Sequence, residues 1–109
     1  MNRRTDYKSL CYLAGIMDGE GHFCMTMAKN GRGKAYKQAR MMFVQSTNNN
    51  GLELCLWAKA RYGGNISKSK ASSSNPMYRW QLTGTKATLL TKRIRPFLIV
   101  KKAQVLSVL

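Results

Sequence analysis

The sequence predicts one α+β domain, in which helices pack on the apolar face of a four-stranded antiparallel sheet. Three observations support this fold class. Apolar residues follow helical spacing and then period two, in the order α-β-β-α-β-β-α. Turns rich in glycine, asparagine and serine separate the strands of two hairpins. The chain has 109 residues, 44% of them hydrophobic, which is enough for one small core, so residues 1–109 are assigned to a single domain.

The first helix is predicted from Tyr7 to Glu20, with Asp6 as its N-cap. Three residues at helical spacing form a bulky apolar face: Leu10, Leu13 and Met17. A second stripe consists of small residues: Cys11, Ala14, Gly15, Asp18 and Gly19. Because glycine inside a helix costs about 1 kcal/mol relative to alanine, this stripe indicates the close approach of another helix. Gly21 is expected to end the helix in a left-handed conformation.

A first hairpin is predicted from strands His22–Ala28 and Lys34–Gln45, joined by a turn at Asn30–Gly33. One face of this hairpin is apolar and carries Phe23, Met25, Met27, Ala39, Met41 and Phe43. The opposite face carries His22, Cys24, Thr26, Tyr36, Gln38, Arg40 and Met42. The hairpin is therefore expected to bury one face and to expose a basic, hydrogen-bonding face.

The second half repeats the order of strands and helices without a convincing repeat of residues. Thr47 and Asn48–Asn50 offer N-caps for a second helix, and Gly63-Gly64 ends it. Pro96 breaks the third helix. The predicted elements are a helix at Leu52–Tyr62, strands at Asn65–Lys70 and Met77–Thr83 around the loop Ser72–Pro76, a helix opening at Thr85, and a final helical stretch from Phe97 to the end.

The charge balance is strongly basic. Lys and Arg total 19 against 4 acidic residues, which gives a net charge of +15 and a pI near 10.3. Such a surface favours a polyanionic partner, and nucleic acid is the first candidate because neutralised phosphates release condensed counterions. An anionic membrane surface usually requires a continuous basic amphipathic helix, whereas the basic residues here are scattered through strands and turns. Nucleic acid is therefore the expected partner.

Several other classes of protein are excluded by pattern. No run approaches the ~18 apolar residues of a membrane span, and the N-terminus lacks the apolar stretch of a signal peptide. The three cysteines, Cys11, Cys24 and Cys55, form no CxxC pair, which argues against a disulfide framework and a zinc module. We expect a soluble intracellular protein of the cytoplasm, nucleoid or organelle matrix, without a membrane partner or a small-molecule cofactor.

The exposed face of the predicted sheet carries side chains that suit DNA bases. An antiparallel ribbon can enter the major groove, where Arg and Gln read guanine and adenine edges. For one strand alone, an ordinary solvated face explains the pattern equally well. The agreement of both hairpins favours DNA readout by Tyr36, Gln38, Arg40, Arg79 and Gln81.

The scarce acids are also informative. Asp18 and Glu20 lie two residues apart at the C-terminal end of the first helix, where the helix dipole disfavours anions by roughly 0.3–1 kcal/mol each. A phosphate-binding protein gains from a carboxylate there when the carboxylate holds a divalent cation. A pair of structural helix-end acids is the alternative.

The segment Leu13–Gly21, with the residues LAGIMDGEG, resembles the LAGLIDADG motif of homing endonucleases. The run Pro96-Phe97-Leu98 with Lys101 and Gln104 is similar to the last part of that family. A single motif in a short chain resembles the members that act as homodimers. The resemblance implies a saddle-like four-stranded sheet with helices on one face and double-stranded DNA on the other.

The resemblance also implies roles for particular residues. Motif helices of two subunits would pack at the dyad through a set of four residues: Ala14, Gly15, Asp18 and Gly19. Glu20 would hold Mg²⁺, or another divalent cation such as Mn²⁺, together with the Gly19 carbonyl. Asp18 would be a structural residue of the helix end. Gln45 would order solvent near the cation, and Lys101 would be the active-site lysine.

The implied function is site-specific, Mg²⁺-dependent cleavage of both strands of a long pseudo-palindromic DNA site. DNA contacts are also expected from Ser67, Lys68, Ser69 and Lys70. Two alternatives use the same fold. One is a DNA-binding regulator that does not cleave, and the other is a maturase acting on intron RNA.

Overall fold

The elements follow the predicted order α-β-β-α-β-β-α. The computed structural model describes residues 3–47, 50–69 and 76–109, with the backbone alone for residues 3–6 and Ser107. The bounds are Arg3–Glu20 (α1), Gly21–Lys29 (β1), Ala35–Ser46 (β2), Gly51–Tyr62 (α2), Asn65–Lys68 (β3), Met77–Thr83 (β4) and Thr85–Ile94 (α3). Two 3₁₀ helices follow, at Arg95–Phe97 and Gln104–Val108.

The four strands form one antiparallel sheet in the order β1-β2-β4-β3, which confirms the α+β fold class. Gly21 pairs with Phe43 at the β1–β2 ladder, and Phe43 pairs with Trp80 at the β2–β4 ladder. Successive side chains of a strand point to opposite faces. The helices therefore cover the face that carries the buried residues Phe23, Met41, Phe43, Trp80 and Leu82, and they leave the other face open.

The core lies between this covered face and the three helices. The rings of Phe43 and Trp80 stack with centroids 5.2 Å apart. The indole Nε1 of Trp80 donates a hydrogen bond of 2.9 Å to the carbonyl of Gly63, at the end of α2. A Cβ at Gly64, where φ is +95°, would lie 2.4 Å from the carbonyl oxygen of Gln81. The predicted Gly63-Gly64 ending of α2 is thus confirmed, and it lets the helix end sit directly on β4.

Two predictions about α1 are wrong at its ends. The helix begins at Arg3, so Asp6 lies inside it and is not the N-cap. No glycine or proline interrupts the first turn, and the helix dipole favours an acidic residue near an N-terminus. Gly21 is not left-handed, because the positive φ angles of glycines occur at Gly33, Gly63, Gly64 and Gly84. It is instead the first residue of β1.

The predictions for the turns and hairpins hold with small changes. Asn50 is the residue before α2, with φ at 56° and no hydrogen bond from its side chain, while Asn48 and Asn49 lie outside the described residues. In the first turn, the Asn30 Oδ1 accepts hydrogen bonds from the backbone N–H groups of Arg32 and Lys34. β3 ends at Lys68, so it is shorter than predicted, and the loop at 70–75 lies outside the described residues.

The apolar face of the first hairpin is only partly covered by the core. Phe23 is buried as predicted, but Met25 and Met27 are 43% and 63% exposed. The core therefore ends about halfway along this hairpin. Within the described ranges, no helix combines the length and the apolar character needed to cross a membrane.

The predicted C-terminal helix is wrong. After the 3₁₀ turn at Arg95–Phe97, Leu98 is extended, with φ −77° and ψ 143°. The backbone N–H groups of the next three residues donate to the carboxylate of Asp18 instead of continuing a helix. Helical structure returns only in the short 3₁₀ segment Gln104–Val108. A contact with α1 thus determines the local structure of the C-terminal region.

Candidate active site

The candidate site is built around the junction of α1 and β1. Glu20 is the last residue of α1 and Gly21 is the first of β1, so no loop separates the two elements. A Cβ at Gly21 would lie 2.6 Å from the Cα of Met17, a distance that packed atoms do not reach. Glycine at this position allows the strand to leave directly over the last helical turn. The exposed carboxylate of Glu20 is thereby held at one fixed edge of the sheet.

Gln45 lies beside this carboxylate. Because Gly21 pairs with Phe43, the side chain two residues further along β2 reaches the end of α1. The amide Nε2 of Gln45 donates a hydrogen bond to Oε2 of Glu20. The two residues that sequence reasoning placed near a cation are therefore neighbours, although they are 25 positions apart in the chain.

Lys101 lies on the other side of the same helix end. Its Nζ donates to the carbonyl of Met17 at 2.7 Å and also to the carbonyl of Gly21. The last carbonyls of a helix lack intrahelical partners and carry the negative end of the helix dipole. An ammonium group is stabilised there, and its hydrogen bonds hold Lys101 at the end of α1, where Glu20 is the last residue.

Asp18 has a different environment from Glu20. Its carboxylate accepts three backbone N–H groups, from Ile99 at 2.7 Å, Lys101 at 3.0 Å and Val100 at 3.1 Å. Burial raises the pKa of Asp18, but these hydrogen bonds and the charge of Lys101 outweigh it, and the pKa falls below its ordinary value. Asp18 therefore anchors the segment that carries Lys101, and its oxygens are used within the subunit.

The exposed face of α1 differs in part from the predicted dimer surface. Ala14 is fully buried in the core of its own subunit, so its assignment to a contact between subunits is wrong. Gly15 and Gly19 face open space, because a Cβ added at either residue would have no neighbouring atom within 4 Å. An open groove of about 500 Å³ follows this face and reaches the site, and it is bordered by Cys11, Tyr12, Gly15, Ile16, Gly19, Glu20 and Gln45.

Most of the predicted DNA-contacting residues share the open face of the sheet. The pairing of the strands places on that face Tyr36, Gln38, Arg40, Ser67, Arg79 and Gln81. Lys68 lies on the other face, where its Nζ is 5.8 Å from the ring centroid of Tyr78. The Ser69 hydroxyl accepts the backbone N–H of Met77 at 2.8 Å. Lys70 lies outside the described residues.

β1 contributes residues to this face that the sequence prediction of DNA contacts does not include. His22, Cys24 and Thr26 alternate with the helix-facing residues of the strand, and they pair with Met42, Arg40 and Gln38. Their alternation is visible in the sequence. On the first hairpin, the sequence prediction names only Tyr36, Gln38 and Arg40 of β2 as DNA contacts.

The oxygen ligands at the α1–β1 junction suit a divalent cation whose other ligands are water and phosphate oxygens. Among the described residues, no group of three or more His, Cys, Asp or Glu side chains could hold a metal ion. Mg²⁺ takes only one or two protein carboxylates and completes its shell with water and phosphate oxygens. The exposed Glu20 carboxylate and the helix-end carbonyl of Gly19 are ligands of that type. These two oxygen donors could form only part of such a shell.

Comparisons with known proteins agree with this geometry. The family model described as "LAGLIDADG endonuclease" matches residues 13–103, which include every element of the candidate site. No curated protein matches the chain significantly.

Solved structures of homing endonucleases share the fold. I-CvuI in complex with its target and Ca is similar at a TM-score of 0.74 and 21% identity, over 94% of this chain and 64% of that one. The archaeal intron-encoded I-Vdi141I complexed with DNA has a TM-score of 0.66 and 22% identity, over 93% and 64%. I-SmaMI bound to uncleavable DNA has a TM-score of 0.56 and 22% identity, over 84% and 32%. This chain thus spans less than two thirds of the length of these neighbours.

Proposed function

Because this chain belongs to the LAGLIDADG endonuclease family, we propose that it cleaves both strands of a long, pseudo-palindromic DNA site as a homodimer, with a divalent cation. The observation that carries the proposal is the grouping at the α1–β1 junction, where Glu20 and Gln45 border an open groove and Lys101 binds the carbonyl of Gly21, the residue after Glu20. A carboxylate that can hold a cation, an amide that can orient water and an ammonium group that can stabilise negative charge suit phosphodiester hydrolysis.

DNA is the partner that fits the open face of the sheet. The face carries arginine, glutamine and tyrosine, and none of the four described strands contains Asp or Glu. The net charge of +15 adds a long-range attraction to phosphates. The complexes of I-CvuI and I-Vdi141I with DNA are consistent with this partner.

The exposed surface of α1 supports pairing of two chains. Without a Cβ, Gly15 and Gly19 allow another helix backbone to come close. Beside the same helix end, Ile99 is 87% exposed and Val100 is 75% exposed, and Asp18 holds both in place. Apolar side chains fixed in such an exposed position favour an interface. A two-fold contact there would bring two copies of Glu20 together.

The cation would be held by Glu20 and the carbonyl of Gly19. Its chemistry would supply an activated water molecule and stabilise the charge that develops on the leaving 3′ oxygen. The hydrogen bond from Gln45 Nε2 fixes the orientation of the Glu20 carboxylate. The amide oxygen of Gln45 remains available to accept a hydrogen bond from the attacking water and to orient it.

Lys101 acts on the phosphate itself. An ammonium group has three donors, and two of them are used on the carbonyls of Met17 and Gly21. The third would be available to a phosphate oxygen bound near the end of α1. Because the helix end holds the ammonium group before DNA arrives, the charge requires little reorganisation during the reaction.

The proposal is tested by selection from a plasmid library that carries randomised, symmetric sites, with Mg²⁺ or with EDTA. Wild-type protein is compared with Glu20→Gln, which keeps the size of the side chain and removes its charge. Glu53→Gln, an exposed acid in the first turn of α2, is the matched control.

We expect linear plasmids that converge on one palindrome-like site only with Mg²⁺ and an intact Glu20. Glu20→Gln should capture the same sequences without cutting them. Sequence capture by all three proteins without any cutting would overturn the nuclease and favour a regulator. Preferential capture of structured intron RNA over duplex DNA at equal salt would favour a maturase.

A further inference from the structure

The open face of the sheet is organised in rows of cross-strand neighbours. In one row, Arg40 of β2 lies between Cys24 of β1 and Thr83 of β4. In the next row, Gln38 lies opposite Thr26. The pairing of β2 with β4 ends at Arg40, so the sheet narrows there to the two strands β1 and β2. A two-stranded ribbon of this kind fits the major groove of B-DNA.

The spacing of these rows matches the spacing of base pairs. A strand rises about 3.4 Å per residue, so side chains two positions apart on one face are separated by about 6.8 Å. Successive base pairs of B-DNA are stacked about 3.4 Å apart. When the ribbon follows the groove, adjacent rows therefore meet positions that are about two base pairs apart.

The two residues differ in what they recognise. Arg presents a planar fork of donors that matches O6 and N7 of guanine, whereas the Gln amide matches N6 and N7 of adenine. Both side chains are half-buried, which limits the directions in which they can project. The Nε of Arg40 has no hydrogen-bond partner among the described residues. The small neighbours Cys24 and Thr83 leave the fork without a competing carboxylate.

The register also gives the order of the two positions. Gly21 pairs with Phe43, so the Glu20 site lies at the end of β2 that follows Arg40. We propose that Arg40 reads a guanine in each half-site and that Gln38 reads an adenine about two base pairs farther from the centre of cleavage. This inference rests on the proposed function.

The test is a binding selection from a randomised duplex library in EDTA, where no cutting occurs. It compares wild type with Arg40→Ala, Arg40→Gln and Gln38→Ala. The matched control is Lys37→Ala, an exposed cation of the same strand that lies on the opposite face.

We expect Arg40→Ala to lose discrimination at one guanine by about 10-fold to 100-fold, and Arg40→Gln to prefer adenine at that position. Gln38→Ala should relax a single adenine position about two base pairs farther out. Lys37→Ala should keep the wild-type preferences, with weaker binding to every sequence. Because Arg40→Gln retains a polar side chain at this half-buried position, it provides a second readout if the alanine variant folds poorly.

Two failures are distinguishable. If wild type enriches no sequence, site-specific recognition is wrong, and this inference falls with the proposed function. If wild type selects a site but Arg40→Gln leaves the base preferences unchanged, the inference is wrong while the proposed function stands. The inference is also wrong, while the proposed function stands, if Arg40→Ala and Gln38→Ala lose discrimination at adjacent base pairs. It is wrong as well if the position read by Gln38 lies nearer the centre of cleavage than the position read by Arg40.

Discussion

Asp18 and Glu20 are separated by a single glycine, yet the fold uses them differently. Asp18 accepts three backbone N–H groups from the segment that precedes and includes Lys101. Glu20 is exposed and accepts one side-chain hydrogen bond, from Gln45. Three hydrogen bonds from the backbone give the Asp18 carboxylate a structural role, whereas the Glu20 carboxylate is exposed to solvent. The motif implies the same separation of roles, but only the structure identifies the partners.

The contribution of the Asp18 carboxylate to the free energy of unfolding should depend on pH. Its pKa lies below the ordinary value of 3.8, so the carboxylate stabilises the fold above that pH, and this contribution is lost as the pH falls through the folded-state pKa. Asp18→Asn should therefore lower the free energy of unfolding at pH 7 by about 1–3 kcal/mol, because hydrogen bonds to a charged acceptor are lost. Urea denaturation at one protein concentration measures the difference.

The difference in free energy of unfolding between wild type and Asp18→Asn should become smaller as the pH falls below 3.8, and it should be smallest below the folded-state pKa, where the carboxylate of the folded wild type is neutral too. Glu53→Gln is the control, since that exposed side chain is not part of the anchor. If the difference in free energy of unfolding between wild type and Asp18→Asn stays constant from pH 7 to below pH 3.8, the charge of Asp18 contributes nothing to this contact.

The sequence proposes candidate site residues but does not give all of their neighbours. Glu20, Gln45 and Lys101 are candidates through the family resemblance, and the structure places all three around the end of α1. Ala14 is misassigned because it lies in a stripe of small residues that borders the bulky apolar face. Helical spacing alone does not show which of two adjacent stripes its own sheet covers. Burial of Ala14 is a tertiary property.

Two glycines of the α1–β1 region, Gly15 and Gly21, should respond differently to replacement by a larger residue. A Cβ at Gly21 would collide with the backbone of Met17, whereas a side chain at Gly15 would meet nothing in its own subunit. Gly21→Ala should therefore lower the thermal midpoint, with a cost of about 1–3 kcal/mol from overpacking. Gly15→Leu should keep the native far-ultraviolet circular dichroism but shift the sedimenting mass from dimer to monomer.

The comparison of these two variants separates folding from association. Replacing an exposed helical glycine removes a penalty of about 1 kcal/mol, so loss of the dimer in Gly15→Leu cannot be attributed to a weaker helix. If Gly15→Leu sediments like the wild type, α1 is not the interface. If Gly21→Ala keeps the wild-type thermal midpoint, the tight junction between α1 and β1 is not required.

The strands and the three α-helices were predictable in order and approximate place because local chemistry decides them, although α1 begins at Arg3 and not at Tyr7. Gly33, Gly63 and Gly64 have positive φ and mark the ends of elements at the expected places. The C-terminal region was not predictable in this way. Its backbone N–H groups bind the carboxylate of Asp18, which lies 81 residues before Ile99 in the chain. No local pattern records a contact of that range.

The whole molecule has two distinct surfaces, the open face of the sheet and the exposed side of α1, which differ in charge and in shape. The open sheet face has no acidic residue in its described strands, and it suits DNA. The exposed side of α1 carries glycines and leads to the single carboxylate of the candidate site. If the chain cleaves both strands as proposed, a two-fold contact along α1 would bring two copies of this carboxylate together.

A mixing experiment tests most directly whether two copies of Glu20 act together in one site. Wild type and Glu20→Gln chains are unfolded together, refolded in known ratios and added to a plasmid that carries the selected site, with Mg²⁺. If two Glu20 carboxylates form one composite site, the fraction of linear plasmid should fall with the square of the wild-type fraction, because only dimers of two wild-type chains cut both strands. A linear dependence on the wild-type fraction would show that each chain acts alone and would contradict the account.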